Sequence, residues 1–347
     1  MSPAADLAVI VVSTNEARWL QPCLRSVFEH AGGATLDVVV VDNASTDATR
    51  ELVRRGFPAA RLVSCDNHGF GHANNRAAAT CDARYVLFLN PDTEIASGTF
   101  GELVARLDAC PGVGLAGVKQ VAADGTPWPT IRYFPSPLRA LGEALWSSRW
   151  PVKPRWSGEL EHDRSVYERE HPCDWTSGSF MLCRREALLG AGLMDERFFI
   201  YAEEPDLSLR MKRAGWGTVH LPAMTIVHHA GKGGIRPRMV AQDAYARGQY
   251  ARKHLPHATR AAYLGALALR HAIRAVAPGR QPDASLRRTA ARAALATMAG
   301  RLEPPFGAPP PTALAPLPAA AAASTLAPCP GLVEAAARAA TTDRVPA

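Results

Sequence analysis

The 347-residue sequence predicts an α/β sandwich with a basic helical extension on its C-terminal side. Three observations predict it. Two nearly continuous β-branched runs, Leu7 to Ser13 (LAVIVVS) and Leu36 to Asp42 (LDVVVVD), have the composition of strands buried on both faces of a sheet. Helix-compatible stretches alternate with these and later runs, the β-α-β order that right-handed crossovers wind into layers. Polar clusters follow the strand ends, the edge at which open α/β sheets bind ligands.

In chain order, a helix is predicted over Glu16 to His30 and another over Asp47 to Arg55, on either side of the second strand. Strand Arg61 to Ser64, helix His72 to Thr80, strand Tyr85 to Leu89 (YVLFL), helix Thr99 to Ala109 and strand Val113 to Val118 continue the alternation. From Trp128 to Cys173 Trp, Pro and Arg recur without a period, which predicts loops and short helices. Order returns at Trp175 to Leu182, then in a helix from Pro205 to Ala214 stopped by Gly215, and in strands around Thr218 to Leu221 and Thr225 to His229. Beyond about Ala241 the chain is Arg- and Ala-rich and helical, and after Pro304 it becomes Ala/Pro low complexity, which predicts disorder apart from a short helix at Leu332 to Ala340. The expected division is 1–240, a catalytic domain; 241–300, a basic helical extension; and 301–347, a tail.

A composition of 47% hydrophobic and 20% charged residues supports a sizeable core. Met1 to Asp6 does not resemble a secretory signal, and no run approaches the roughly 18 uncharged apolar residues that span a bilayer. The seven cysteines form no Cys-x-x-Cys and no zinc-ligand spacing, so the expectation is a reduced, cytoplasmic chain without structural zinc. The net charge of +7 is unevenly placed: Ala244 to Arg301 holds eleven basic residues and one acid, leaving the remainder slightly negative. Basicity confined to an appendage argues against nucleic acid as a partner of the chemistry-bearing part.

Four polar clusters carry candidate chemistry. Asp42-Asn43-Ala44-Ser45-Thr46-Asp47 has helix-capping residues and a strand-end carboxylate able to accept the imide N–H of a pyrimidine. Asn90-Pro91-Asp92 has turn composition, and Asp92 offers the hard oxygen that Mg²⁺ or Mn²⁺ prefers. Glu203, Glu204 and Asp206 crowd a helix start, where acids complement the dipole and mutual repulsion raises proton affinity, as a general base requires. His228-His229-Ala230-Gly231, followed by Lys232-Gly233-Gly234, puts a metal- or phosphate-binding imidazole beside a permissive backbone.

Taken in order, these clusters resemble glycosyltransferase family 2, the inverting enzymes of GT-A fold, and especially their bacterial rhamnosyltransferase-like branch. The resemblance covers about Leu7 to Gly234. It rests on Val12-Ser13-Thr14-Asn15, the Asp42 cluster, Asn67-His68-Gly69-Phe70-Gly71 with Asn74 and Asn75, Asn90-Pro91-Asp92, Gly178-Ser179-Phe180-Met181, Glu203-Glu204-Pro205-Asp206-Leu207 and His228-x-x-Gly231. It implies a GT-A nucleotide-diphospho-sugar transferase fold, a Rossmann-like mixed sheet flanked by helices.

The resemblance further implies donor binding by Ser13, Asn15, Asp42, Asn43, Asn67, Gly69, Asn74 and Asn90, with Asp42 on the nucleotide base. It implies a divalent metal on Asp92 and His228, and an acceptor side at Trp175 and Gly178. The base falls on Glu204, where the family usually has Asp, with Glu203 or Asp206 as the alternatives. A donor such as dTDP-rhamnose and a glycan or lipid-linked acceptor in cell-surface polysaccharide synthesis would follow. A processive synthase would have spanning helices and a Gln-x-x-Arg-Trp-like motif after the carboxylates, and neither is present in the sequence. A dinucleotide oxidoreductase would want Gly-x-Gly-x-x-Gly after the first strand, which Val12 to Asn15 does not offer. A catalytically silent nucleotide-sugar binding protein remains the alternative from another class. The basic C-terminal helices predict peripheral docking on an anionic inner membrane face.

Overall fold

The computed structural model describes residues 3–145, 154, 156–229, 236–276 and 284–307. Within them a nine-stranded sheet takes in β1 (Ala5–Ser13), β2 (Leu36–Asn43), β3 (Arg61–Cys65), β4 (Ala83–Leu89), β5 (Thr93–Ser97), β6 (Val113–Val121), β7 (His171–Cys173), β8 (Phe180–Arg184) and β9 (Gly217–His228). Its order is β3-β2-β1-β4-β8-β6-β9-β5, with β7 paired to β9. The first four strands are mutually parallel; β8 runs antiparallel to β4 and β6, as β5 and β7 do to β9. The sheet is therefore mixed. Every strand predicted from the apolar runs is present, while the short β5 and β7 went unpredicted because neither carries an apolar period.

The two predicted strands around Thr218 and Thr225 are one strand, β9. Its pairing with β6 shifts register between Val118 and Lys119, where the chain absorbs Pro222, a residue that cannot donate to the ladder.

Alternation along the strands explains the layers. Val9, Val11, Val38, Val40, Leu87 and Leu89 face a core closed by α1 (Ala17–Glu29) and α4 (Phe100–Asp108). Ile10, Val12, Val39, Val41, Val86 and Phe88 face the other core, closed by α3 (Phe70–Ala78), α6 (Arg185–Gly190) and α7 (Glu203–Arg213). Burying each such side chain is worth about 1.5–3 kcal/mol, so both faces hold the sheet rigid beneath its carboxyl edge. A short helix α2 (Thr49–Gly56) follows β2.

After β6 come α5 (Pro137–Leu145) and a single 3-10 turn, Arg164–Glu168. Among the described residues three helices follow β9: α8 (Pro237–His254), α9 (His257–Val276) and α10 (Ala284–Met298). Helix α8 runs across the expected boundary at 240/241. It buries Ala246 and Tyr250 against Phe198, and Gln242 donates to the Ile200 carbonyl at 3.1 Å. The expectations for Ala230 to Gly234 and for the tail beyond 307 fall outside the described residues. Five cysteines are free thiols, whereas Cys110 is disulfide-bonded, contrary to the expectation of a fully reduced chain.

Candidate active site

The site is assembled along the carboxyl edge of the sheet. Ser13 and Asp42 are register partners at the ends of β1 and β2, and Leu89 ends β4 beside Val11. Beyond Leu89 the chain turns at Asn90-Pro91-Asp92, held by the Asn90 N–H donating to the Ser179 carbonyl at 3.0 Å. One residue earlier, the Gly178 N–H donates to Glu204 Oε1 at 3.1 Å. Two consecutive backbone groups before β8 thus bind the Asp92 turn on one side and the carboxylate cluster on the other.

Asp92 is buried, 7% exposed, with His228 Nε2 at 3.4 Å from its Oδ1. The pairing of Thr93 with His228 between β5 and β9 brings them together. His228 Nδ1 is buried without a hydrogen-bond partner among the described residues, and the Trp128 ring meets the imidazole edge-on at 5.5 Å. One carboxylate and one imidazole suit a divalent cation that takes its other ligands from phosphate and water, so these residues fit Mg²⁺ or Mn²⁺. Among the described residues no cluster of three or more His, Cys, Asp or Glu side chains forms an all-protein cage.

Glu16 adds a carboxyl missed by sequence reasoning, because an acid at the start of the helix predicted over Glu16 to His30 reads as dipole complementation. Burial and the charge of Asp92 push its pKa up to about 7. Its neighbour Trp19 stacks on His229 at 4.5 Å, and His229 in turn bonds Glu94 at 2.6 Å.

At the end of β2, Asp42 is 1% exposed, accepting from the Ser45 N–H at 3.1 Å with Arg50 Nε at 3.5 Å from its other oxygen. Asn43 donates to Thr14 Oγ1 at 3.3 Å, and the Ser13 hydroxyl is buried with no partner among the described residues. Asn15 Oδ1 accepts from the N–H groups of Thr46 and Asp47, so its side chain ties the loop after β1 to the loop after β2. Asn67 accepts from the Gly69 N–H at 3.2 Å. Asn74 bonds the Phe70 carbonyl, while Asn75 bonds both backbone groups of Met194 and the carboxylate of Glu196. Asn75 thereby braces the segment that leads to α7.

That segment is strained. Tyr201 and Ala202 have φ of +71° and +67°, immediately before Glu203, and Asn15 and Ala44 adopt the same left-handed region just after β1 and β2. Four of the five such non-glycine residues among those described flank the candidate motifs, a placement that strain at working sites favours.

The three carboxylates of α7 have separate environments. Asp206 is fully buried, bonded to Arg210, His254 and Lys253; burial alone would raise its pKa, but these partners hold it below the usual range. Glu203 is 2% exposed, its Oε2 lacks a partner among the described residues, and burial together with the Glu204 charge pushes its pKa well up. Glu204 is half-buried, also raised by burial, and lines a cavity of about 270 Å³ with Arg132, Glu159, Trp175, Ser177, Tyr201, Arg247 and Tyr263.

Arg132 lies over the Trp175 ring at 5.1 Å. Arg247, counted above with the basic surface of the extension, is instead an interior residue donating to Glu159 at 2.8 Å and Tyr263 at 3.2 Å. Arg132 and Glu159 lie in the aperiodic segment, which offered no signal for either.

Mixed topology, a polar carboxyl edge of the sheet and a helix-start carboxylate beside a cavity are the arrangement of the GT-A class of sugar transferases. Residues 8–189 match the family described as Glycosyl transferase family 2, and the chain belongs to that family. It is 32% identical over 235 residues to an N-acetylglucosaminyl-diphospho-decaprenol L-rhamnosyltransferase of Mycobacterium tuberculosis, covering 64% of this chain and 76% of that one. It is 26% identical over 236 residues to rhamnosyltransferase WbbL of Escherichia coli, covering 64% and 83%. Among solved structures it is similar to a mannosyltransferase of Pyrobaculum calidifontis in complex with GDP-Man and Mn²⁺, with a TM-score of 0.52 and 20% identity over 87% of this chain and 88% of that one.

Proposed function

We propose that the chain transfers a sugar, L-rhamnose from dTDP-rhamnose as the leading candidate, onto a glycan or lipid-linked acceptor in cell-surface polysaccharide synthesis, with inversion at the anomeric carbon. The observation that carries the reading is the pair of adjacent backbone contacts at Gly178 and Ser179, which fixes Glu204 and the Asp92 turn on one rigid support. Similarity to two rhamnosyltransferases supports the donor, and the name of the mycobacterial relative supports a lipid diphosphate acceptor.

Glu204 is the base in this reading because it alone of the three carboxylates faces the cavity. Burial keeps its proton affinity high enough to take the acceptor hydroxyl proton, and the Gly178 N–H orients the receiving carboxylate. Asp206 serves as the anchor of α7, and Glu203 as a buried neighbour whose own proton affinity is raised by burial and by the Glu204 charge. Asp92 and His228 would hold the divalent metal, which when bound neutralises charge on the departing nucleoside diphosphate. Ser13, Asn43 and Asp42 line the donor edge, and Trp175 with Arg132 walls the acceptor cavity.

A screen of nucleotide sugars with Mg²⁺ and Mn²⁺, read as transfer and as donor hydrolysis, tests the proposal. Glu204→Gln is expected to lower kcat by about 10²-fold or more while donor binding persists. Near-normal transfer by that variant would remove Glu204 as base, and no turnover of any donor would favour a silent sugar-nucleotide binder.

A further inference from the structure

The catalytic layers keep their large apolar side chains inside, and the helices packed beside them do not. Among the described residues, seven of the nine exposed large hydrophobics lie on three helices: Leu138, Leu141 and Leu145 on α5, Leu269 and Ile273 on α9, Leu295 and Met298 on α10. On α5 the spacing i, i+3, i+7 makes one outward stripe, with Ala140 and Ala144 turned inward; Leu138 and Leu145 are 55% and 53% exposed. On α9 the exposed pair lies one turn apart, opposite the buried Tyr263, Leu264 and Leu267. Helix α9 packs against both α5 and α10, so the stripes belong to one assembly. Single surface hydrophobics need no partner, but grouped rows of them do.

Charge identifies the partner. Arg274 is exposed next to Ile273, and exposed Arg288 and Arg292 share a face of α10 with Leu295 at i, i+4, i+7 spacing. Neither α9 nor α10 contains an Asp or Glu. The one acid of the three helices, Glu143 on α5, is half-buried and paired to Arg270 at 2.5 Å. Leucine and arginine together on a face with no unpaired acid match the boundary of an anionic bilayer, where apolar groups enter the acyl region and guanidinium groups meet phosphate. A second copy of the chain would instead set arginine against arginine. No helix among the described residues is long and apolar enough to cross a membrane, so the contact is interfacial.

We infer that α5, α9 and α10 form a docking face that seats the protein on an anionic lipid bilayer. Helix α9 joins docking to chemistry, because its inner side supplies Tyr263 to the cavity that Glu204 lines. Docking thereby brings that cavity close to the lipid surface on which a lipid-linked acceptor resides. The inference rests on the sugar-transfer reading for its purpose only. Vesicle binding is measured without donor, and transfer to a water-soluble acceptor without lipid, so either reading can fail alone.

The test is co-sedimentation of the full chain with vesicles of phosphatidylglycerol and phosphatidylcholine, and with phosphatidylcholine alone. The variants are the triple change Leu138→Gln, Leu141→Gln, Leu145→Gln and, separately, Arg288→Gln with Arg292→Gln. The unaltered chain is expected to bind the anionic vesicles at least about tenfold more tightly than neutral ones, and each variant to lose about tenfold at an unchanged melting temperature. The arginine pair lies on solvent-facing positions, so it tests the face even if the leucine variant fails to fold. Equal binding by the unaltered chain and the arginine variant would overturn the inference, as would no binding to anionic vesicles. Light scattering that showed a dimer dissolved by the leucine changes would assign the face to a second copy and also overturn it.

Discussion

At the scale of single residues, Glu203 has the clearest consequence for stability. Its carboxyl is 2% exposed, Oε2 has no partner among the described residues, and Glu204 stands next to it. Burial raises the folded-state pKa above the unfolded value, so the contribution of this group is fully present below the unfolded pKa, near 4.5, and is lost as pH rises toward the folded one. Glutamine carries the neutral form at every pH. Glu203→Gln is therefore expected to raise the melting temperature at pH 8 and to leave it nearly unchanged at pH 4, as differential scanning calorimetry across that range would read. A variant destabilised equally at both pH values would mean that the carboxylate has a partner and is held ionised. Asp206 has the opposite sign: His254, Arg210 and Lys253 keep it ionised, and its contribution is lost only as acid reaches its lowered pKa.

At the scale of elements, the strands were legible and the functional loops only partly so. Runs such as LAVIVVS announce themselves because both faces of β1 are buried, and an apolar residue is needed at nearly every position. The strand-end positions of Asp42, Asn90 and Asp92 were legible because these residues end or follow such runs directly. Arg132, Glu159 and Arg247 were not: they meet at the cavity by tertiary packing of segments that have no period of their own, and Arg247 is indistinguishable by sequence from the exposed arginines that follow it. The glycine before α3 shows how a motif residue can work through geometry. Gly69 has φ of +107°, and a Cβ there would collide with the Phe199 backbone, whose carbonyl also accepts from the Phe70 N–H at 2.7 Å. Gly69→Ala is expected to cost more than about 2 kcal/mol in urea unfolding. It should also raise the KM for donor, because the segment from Met194 to Ala202 can no longer seat against α3. An alanine variant of wild-type stability would show that the two segments are free to part.

At the scale of the whole molecule, the helices after β9 complete the catalytic part. Tyr250 and Ala246 of α8 close the small core around Phe198, Lys253 and His254 lock Asp206, and Arg247 with Tyr263 walls the cavity beside Glu204. Glu159 is buried and Arg247 half-buried, and removing the partner of a buried charge typically costs about 3–5 kcal/mol because that charge is left without compensation. Ending the chain after Ala241 would remove Arg247, Lys253 and Tyr263 together, leaving Glu159 without its arginine and Asp206 with Arg210 alone. The shortened chain is expected to melt well below the full one, and transfer to a water-soluble acceptor should fall by more than about 10²-fold, since correct placement of acceptor and base supplies at least that factor. Ending the chain after Gly307 keeps every one of these contacts and should leave transfer unchanged. Retention of transfer by the chain ending at Ala241 would show that residues 1–241 form the cavity on their own.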